Sequence, residues 1–229
     1  MEIKKDFENK IAIVTGGGTG IGKETARELL AGGAKVVING RREKILRDAA
    51  HELDPGGKRI AWVAGDAGQK PVAERLTAVA VERFGGVDIL INNAGIFRPT
   101  PFLEHSEADV DAYLSVAVKG PFFASQAAIP EMLKRGGGSI VNVGSIWALI
   151  AVGATPSSAY SAGKAGMHTL TRNQSPGISP CSNERLHDCG LRRCRGVDGG
   201  EADPPRDTHL RRHRSARLFR PRSSRGTGL

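Results

Sequence analysis

The stretch KIAIVTGGGTGIG, residues 10–22, decides how this chain is expected to fold. It begins with a short apolar run, which predicts a buried β-strand, and it ends in a glycine-rich turn. Directly after the turn, Ala26, Leu29 and Leu30 recur at helical spacing, and Gly32 and Gly33 follow as stop signals. The sequence therefore opens with a strand, a tight turn and a helix.

A glycine-rich turn between a strand and a helix is typical of a site for a dinucleotide. Glycines let the backbone approach a pyrophosphate closely, and the N-terminus of the helix stabilises its negative charge. A glycine-rich loop without this context is weak evidence, because any tight turn can use glycine. Its position here favours dinucleotide binding by Thr15, Gly16, Gly20, Ile21 and Gly22.

Strand and helix patterns then alternate through residue 171. Apolar runs predict five strands, namely KIAIVTG, AKVVING, RIAWVAGD, VDILINNAG and GGSIVNVGS. The long stretch between the last two is predicted to be helical and opens with a capping-box spacing at Ser106 and Asp109. This alternation predicts an α/β fold, a Rossmann-like doubly wound parallel sheet whose strands are buried on both faces.

The end of the second strand bears on the choice of cofactor. An acidic residue that binds the ribose of NAD is expected near Gly40, but Arg41 and Arg42 follow instead. Because a guanidinium suits a 2′-phosphate, the sequence favours NADP over NAD, although NAD stays possible. The alternative is that both arginines are solvated residues at the start of a helix.

A second motif, YSAGK at residues 160–164, carries the candidate chemistry. Tyr160 and Lys164 are four residues apart and share one face of a predicted helix. A nearby ammonium makes ionisation of a tyrosine less costly, and Ser145, at the end of the fifth strand, can hold a carbonyl oxygen. These residue types suit general acid–base catalysis of hydride transfer at a carbonyl carbon. Trp147 either lines the substrate pocket or packs in the core.

Residues 10–171 resemble the short-chain dehydrogenase/reductase family. The resemblance rests on TGGGTGIG, NNAG at 92–95, the serine at a strand end and YSAGK, in family order and spacing. It implies NAD(P)-dependent oxidoreduction of a small alcohol or ketone. It also implies Tyr160 as acid–base, Ser145 as partner of the substrate oxygen, and Lys164 at the nicotinamide ribose. Residues implied at the cofactor are Asp66 and Ala67 by the adenine, and Asn93, Ala94 and Gly95 along the cleft.

Two departures from the family pattern bear on activity. Ala117 stands where the family has an asparagine that supports a proton relay to the lysine. The family's sixth strand, substrate loop and seventh strand are not recognisable after the Lys164 helix. The resemblance implies a homo-oligomer, but these departures predict poor catalysis and an unpaired fifth strand.

Residues 172–229 differ in composition from the first 171. They hold 13 arginines, no lysine and most of the net charge of +9, and all three cysteines. Apolar residues are sparse, so we predict a basic, mostly disordered tail. Because the change falls at residue 173 or 174, inside a helix rather than a linker, a reading-frame shift is our hypothesis for its origin.

The tail suggests two further functions that the sequence does not favour. Cys189, Cys194, His209 and His213 approach zinc-finger spacing, but Pro204 and Pro205 interrupt the required helix, so no metal is predicted. The arginines predict salt-sensitive, nonspecific nucleic-acid binding and no specific nucleic-acid partner.

Three functional hypotheses stay open on the sequence. They are an NADP-dependent enzyme, an inactive cofactor-binding remnant, and a nucleic-acid-binding protein. The N-terminal residues show no apolar leader, and no apolar run reaches the ~20 residues of a membrane span, so a cytoplasmic location is expected.

Overall fold

The computed structural model describes residues 6–150 and 155–178, with side chains up to residue 174. Strands and helices alternate as the sequence predicts. The strands are β1 (Ile11–Val14), β2 (Lys35–Gly40), β3 (Ile60–Ala64), β4 (Ile89–Asn92) and β5 (Ser139–Asn142). The helices are α1 (Gly20–Ala31), α2 (Glu43–Leu53), α3 (Lys70–Phe84), α4 (Glu107–Leu114), α5 (Gly120–Lys134) and α6 (Ser158–Ile178).

The five strands form one parallel sheet in the order β3-β2-β1-β4-β5. In chain order, the strands run outward from the central β1 through β2 to β3. The chain then crosses to the other side of β1, where it forms β4 and β5. The carboxyl ends of β1 and β4 are neighbours at the point where the strand order reverses, and such a switch point is where open α/β sheets bind ligands. The predicted Rossmann-like α/β fold is confirmed.

Two apolar cores cover the two faces of the sheet. Successive residues of β1 alternate between them, as the two-residue period of a strand requires. Ile11 and Ile13 pack with α3 and α5, whereas Ala12 and Val14 pack with α1 and α2. Every residue of β1 is buried, which explains why this strand is a continuous apolar run.

A buried carboxylate fastens the amino ends of the central strands. Asp88 is 6% exposed and accepts a hydrogen bond from the Ile11 amide at 2.9 Å. Arg135, just after α5, donates to both of its oxygens at 3.0 and 3.1 Å. A single side chain thus joins β1, the start of β4 and the end of α5.

The long helical stretch before β5 is interrupted, which the sequence pattern did not predict. The Ser106–Asp109 capping box forms at the start of α4, as expected. Between α4 and α5, however, Ser115–Lys119 form a π-helical turn, and the backbone continues into α5. Such a turn inserts an extra residue into the helix and changes which side chains face the neighbouring elements.

The prediction that all strands are buried on both faces was wrong for β5. Val141 is 47% exposed, and Ser139 is also exposed. Within the described residues β5 pairs with β4 on one side and with no strand on the other. Its outer edge therefore lacks the neighbour that covers the inner strands.

The last described helix, α6, continues to Ile178 and so includes residues 173 and 174. The predicted disordered tail and the spaced cysteines and histidines lie outside the described residues, apart from the end of α6. Among the described residues, no helix combines the length and apolar character that a membrane span needs.

Candidate cofactor cleft and catalytic residues

The glycine turn brings the β1 backbone against the loop that follows β4. Gly16 has a φ of +67°, a conformation that residues with a Cβ rarely adopt. A Cβ at Gly22 would stand 2.4 Å from both the Asn93 Nδ2 and the Gly16 carbonyl oxygen. Glycine at position 22 is therefore required for the helix to start this close to the turn.

Thr15 fastens the turn to the NNAG segment. Its Oγ1 accepts hydrogen bonds from the amides of Asn93 and Ala94, each at 3.0 Å. Asn93 returns the contact, because its Nδ2 donates to the Thr15 carbonyl oxygen at 2.9 Å. Thr15 is buried, so its direct contribution is to hold two walls of the site together.

A cleft of about 610 Å³ lies over the carboxyl ends of β1, β2 and β3. Its size falls in the ~300–1,000 Å³ range of small-molecule sites. The walls contain six of the residues predicted to bind cofactor. They are Gly16, Arg41, Asp66, Ala67, Ala94 and Gly95. Arg42 and Lys119 add positive charge to the same cleft, and Asp111 adds negative charge.

These residues fit an adenine dinucleotide. The glycine turn leaves the backbone accessible. A Cβ at Gly18 would come within 3.2 Å of the Leu46 side chain. Arg41 and Arg42 are exposed guanidinium groups in the cleft wall, and they can pair with a phosphate bidentately. The Asp66 Oδ1 accepts from the Gly68 amide at 2.9 Å, which shapes the loop after β3.

Asn39 supports this cleft from below, a role that was not predicted from the sequence. Its Nδ2 donates to the carbonyl oxygens of Val63 and Gly65, each at 3.1 Å, while the backbone carbonyl oxygen of Asn39 accepts from the Gly17 amide at 2.9 Å. The side chain is 1% exposed and its Oδ1 has no protein partner. The signal available in the sequence was a polar residue, Asn39, near the end of the otherwise apolar strand β2.

The start of α6 holds the two residues predicted for acid–base chemistry. The Lys164 Nζ lies 6.0 Å from the centre of the Tyr160 ring and donates to the Val143 carbonyl oxygen. It also lies 4.0 Å from the position of a Cβ at Gly95, a residue of the cleft wall. Lys164 is only 4% exposed, and burial lowers the pKa of its ammonium below the usual value.

Aromatic side chains surround Tyr160. Its ring lies 5.1 Å from that of Phe97 and 5.9 Å from that of Trp147, in edge-to-face geometry. Phe97 and Trp147 contact each other at 5.2 Å, and Tyr113 lies 6.3 Å from Tyr160. Trp147, which was predicted either to line the substrate pocket or to pack in the core, therefore lies beside Tyr160. Phe97 and Tyr113 were missed, since no spacing rule marks them.

Ser145 begins the short turn after β5. Its Oγ accepts a hydrogen bond from the Trp147 amide at 3.2 Å, and its side chain is partly exposed. The structure places Ser145 just beyond Val143, whose carbonyl binds Lys164. Of the three predicted catalytic residues, Ser145 thus lies in the turn after β5, and Tyr160 and Lys164 lie on α6.

The remaining predicted residues lie near the glycine turn without lining the main cleft. Ile21 is 71% exposed, Gly20 is exposed, and Gly22 is buried against Asn93. Ala117 lies in the π turn and is 4% exposed. It packs toward α6, because a Cβ at Gly163 would stand 3.0 Å from its methyl group.

Comparison with known proteins assigns this architecture to one class. The sequence model of the family described as short chain dehydrogenase matches residues 10–179. The chain therefore belongs to the short-chain dehydrogenase/reductase family of oxidoreductases. The family implies a nicotinamide nucleotide cofactor and a small-molecule substrate.

Relatives and solved structures agree with this assignment. An uncharacterized oxidoreductase of Thermotoga maritima is 40% identical over 168 residues, which are 73% of this chain and 65% of the relative. A hydroxy(phenyl)methylsuccinyl-CoA dehydrogenase subunit of Thauera aromatica is 36% identical over 166 residues, which are 72% of this chain and 66% of the relative. The chain thus spans just under two thirds of the length of these relatives.

The similarity extends to three dimensions. A crystal structure of a short-chain dehydrogenase/reductase from Brucella melitensis, described as a glucose/ribitol dehydrogenase, superposes with a TM-score of 0.71 at 34% identity. The match covers 77% of this chain and 73% of that one.

Proposed function

We propose that this chain binds NADPH and exchanges a hydride between the nicotinamide and a small alcohol or carbonyl compound. The observation that carries the proposal is the position of Lys164. Its Nζ lies 4.0 Å from the position of a Cβ at Gly95, in the cleft wall, and 6.0 Å from the centre of the Tyr160 ring. One buried cation thus connects the cofactor cleft with the candidate acid–base residue.

The residues divide the chemistry of carbonyl reduction among them. A nicotinamide nucleotide held by the glycine turn, Arg41 and Arg42 would supply a hydride to the carbonyl carbon and would itself be oxidised. The carbonyl oxygen takes the proton of the Tyr160 hydroxyl, while Ser145 donates a hydrogen bond to that oxygen. The positive charge of Lys164 favours the tyrosinate that results, and solvent reprotonates it.

The choice of NADPH rests on Arg41 and Arg42. Both line the cleft at the end of β2, where an NAD-binding protein would offer an acid to the ribose hydroxyls. Position 40 is a glycine, and the two residues that follow it in the cleft wall, Arg41 and Arg42, carry guanidinium groups. The preference for a 2′-phosphate follows from charge.

Replacing Tyr160 with Phe tests the proposal. We expect the variant to bind NADPH with unchanged affinity and to lose hydride transfer, followed as loss of NADPH absorbance with a panel of alkyl and aryl ketones. Thr169→Val removes a hydroxyl from the exposed face of the same helix and serves as the matched control. Equal and measurable rates in the Tyr160→Phe variant and the unmodified chain would overturn the assignment of the acid.

A second candidate function is cofactor binding without turnover. It is favoured by Ala117, which cannot supply the amide expected at that place in the family. Under this alternative, NADPH binds to the unmodified chain with normal affinity, but no ketone in the panel is reduced. Both functions therefore predict NADPH binding, and they differ in whether a ketone is reduced.

A further inference from the structure

We propose that the catalytic end of this site is built for a carbonyl compound that carries an aryl group directly beside the carbonyl carbon. The inference rests on the proposed function and names its substrate class. It comes from three rings that meet where a substrate carbonyl would lie: Tyr160, Phe97 and Trp147.

The spacing of the rings places the aryl group next to the reacting carbon. The Phe97 and Trp147 rings both contact the Tyr160 ring, at 5.1 and 5.9 Å between centres. A substrate whose carbonyl oxygen binds the Tyr160 hydroxyl is therefore within reach of both of these rings. Aromatic pairs favour edge-to-face or offset contacts at ring-centre distances of ~4.5–7 Å, so an aryl substituent fits this wall.

Hydrogen bonds fix the backbone that carries both wall residues. The Trp147 amide donates to the Ser145 Oγ at 3.2 Å, which ties the indole to the proposed partner of the substrate oxygen. Next to Phe97, the Arg98 amide donates to the Tyr113 hydroxyl at 2.7 Å, and that hydroxyl donates to the Arg98 carbonyl oxygen at 2.9 Å. The two rings are thus pre-organised rather than placed on free loops.

Phe97 is too exposed to be a core residue. Its side chain is 46% exposed although it contacts two other rings, so an apolar face is open to solvent beside Tyr160. A flat aromatic group can cover that face and keep the edge-to-face contacts. A saturated ring of the same size can cover it but offers no aromatic face or edge.

The test compares acetophenone with cyclohexyl methyl ketone, which differ only in the saturation of the ring. Dissociation constants are measured for the full chain by saturation-transfer NMR, with and without NADP⁺. If apolar burial decides affinity, the saturated ketone binds at least as tightly. We expect acetophenone to bind more tightly by about 2- to 12-fold, the range that one aromatic pair contributes.

Leucine variants identify the rings responsible. We expect Phe97→Leu and Trp147→Leu each to bring the ratio of the two dissociation constants toward one, because they keep apolar bulk and remove a ring. Phe102→Leu is the matched control, since Phe102 is 74% exposed and has no ring contact among the described residues. A ratio at or below one in the unmodified chain, or an equal drop in the Phe102→Leu variant, would overturn the inference.

The two proposals fail separately. Loss of NADPH binding by the unmodified chain would contradict the proposed function, whatever the ketone titrations without cofactor show. Normal NADPH binding with no preference for acetophenone would contradict the aryl substrate and leave the proposed function intact.

Discussion

The methyl group of Ala117 lies 3.0 Å from the point where a Cβ on Gly163 would stand. Gly163 is the residue between Tyr160 and Lys164 that faces the π turn, so this contact sets how closely α6 approaches it. The Tyr113 carbonyl oxygen lies 3.3 Å from the same point. The small residues at 117 and 163 therefore allow the catalytic helix to pack directly on the π turn.

Restoring the family residue by Ala117→Asn is expected not to restore turnover. Position 117 is 4% exposed, and added atoms must displace well-packed neighbours at a cost of about 1–3 kcal/mol. Loss of an acid–base contribution typically lowers rates by ~10²–10⁴-fold. We expect slow reduction of ketones by both chains in single-turnover assays, with a lower melting temperature for the variant. Rapid turnover by either chain would contradict this prediction.

Arg41→Asp should reverse the cofactor preference. The carboxylate repels a 2′-phosphate and can accept hydrogen bonds from a ribose hydroxyl, so NADH should bind more tightly than NADPH. Arg47→Asp makes the same change of charge on α2, outside the cleft lining, and should preserve the preference. The measurement is the ratio of the two dissociation constants by fluorescence titration. An unchanged ratio in Arg41→Asp would make Arg41 a surface charge without a role in selection.

Gly22→Ala should destabilise the fold by about 1–3 kcal/mol through overpacking. The new Cβ would stand 2.4 Å from the Asn93 Nδ2 and from the Gly16 backbone, so both must move. Gly56→Ala is the control, because its nearest neighbour would be the Asp54 Oδ1 at 3.8 Å. Urea unfolding should show a lower midpoint for Gly22→Ala only. Equal midpoints would show that the turn has room that the structure does not indicate.

The sequence predicted the sheet and the cleft better than the surroundings of Tyr160. Strand and helix periods follow from burial, so β1 and the glycine turn could be read from residues 10–22. The ring contacts of Phe97 and the hydrogen bonds between Thr15 and Asn93 depend on loops that the fold brings together, and no local spacing in the sequence marks them. The π turn at Ala117 was missed for the same reason, since one inserted residue hardly alters a helical pattern.

The stability of the chain should depend on pH through Lys164. Burial lowers the pKa of this ammonium in the folded chain, while the unfolded chain has the ordinary lysine pKa near ~10.4. Between those two values the unfolded state binds more protons, so the free energy of unfolding rises as pH rises. Below the lowered pKa both states are protonated, and the cost of burying the charge is fully present.

Lys164→Met isolates this effect. The difference in unfolding free energy, unmodified chain minus variant, should increase as the pH rises toward about pH 10, just below the pKa of unfolded lysine. Urea titrations at several pH values measure it, and Lys44→Met, an exposed lysine on α2, is the control. A difference that stays constant across this window would show that Lys164 keeps an ordinary pKa in the folded chain.

The outer edge of β5 should cause the purified chain to associate. Within the described residues that edge has no strand partner, and Val141 presents a side chain that is 47% exposed. Unpaired backbone groups beside apolar side chains recruit other chains, and a lysine on an edge strand opposes such pairing. We therefore expect aggregates or a loosely packed species on size-exclusion chromatography, and less association for Val141→Lys. Ser139→Lys, two residues away on the same strand, makes the same addition without removing an apolar group and should have a smaller effect. A monodisperse unmodified chain with a cooperative thermal transition would contradict the prediction, because it would require the edge of β5 to be covered.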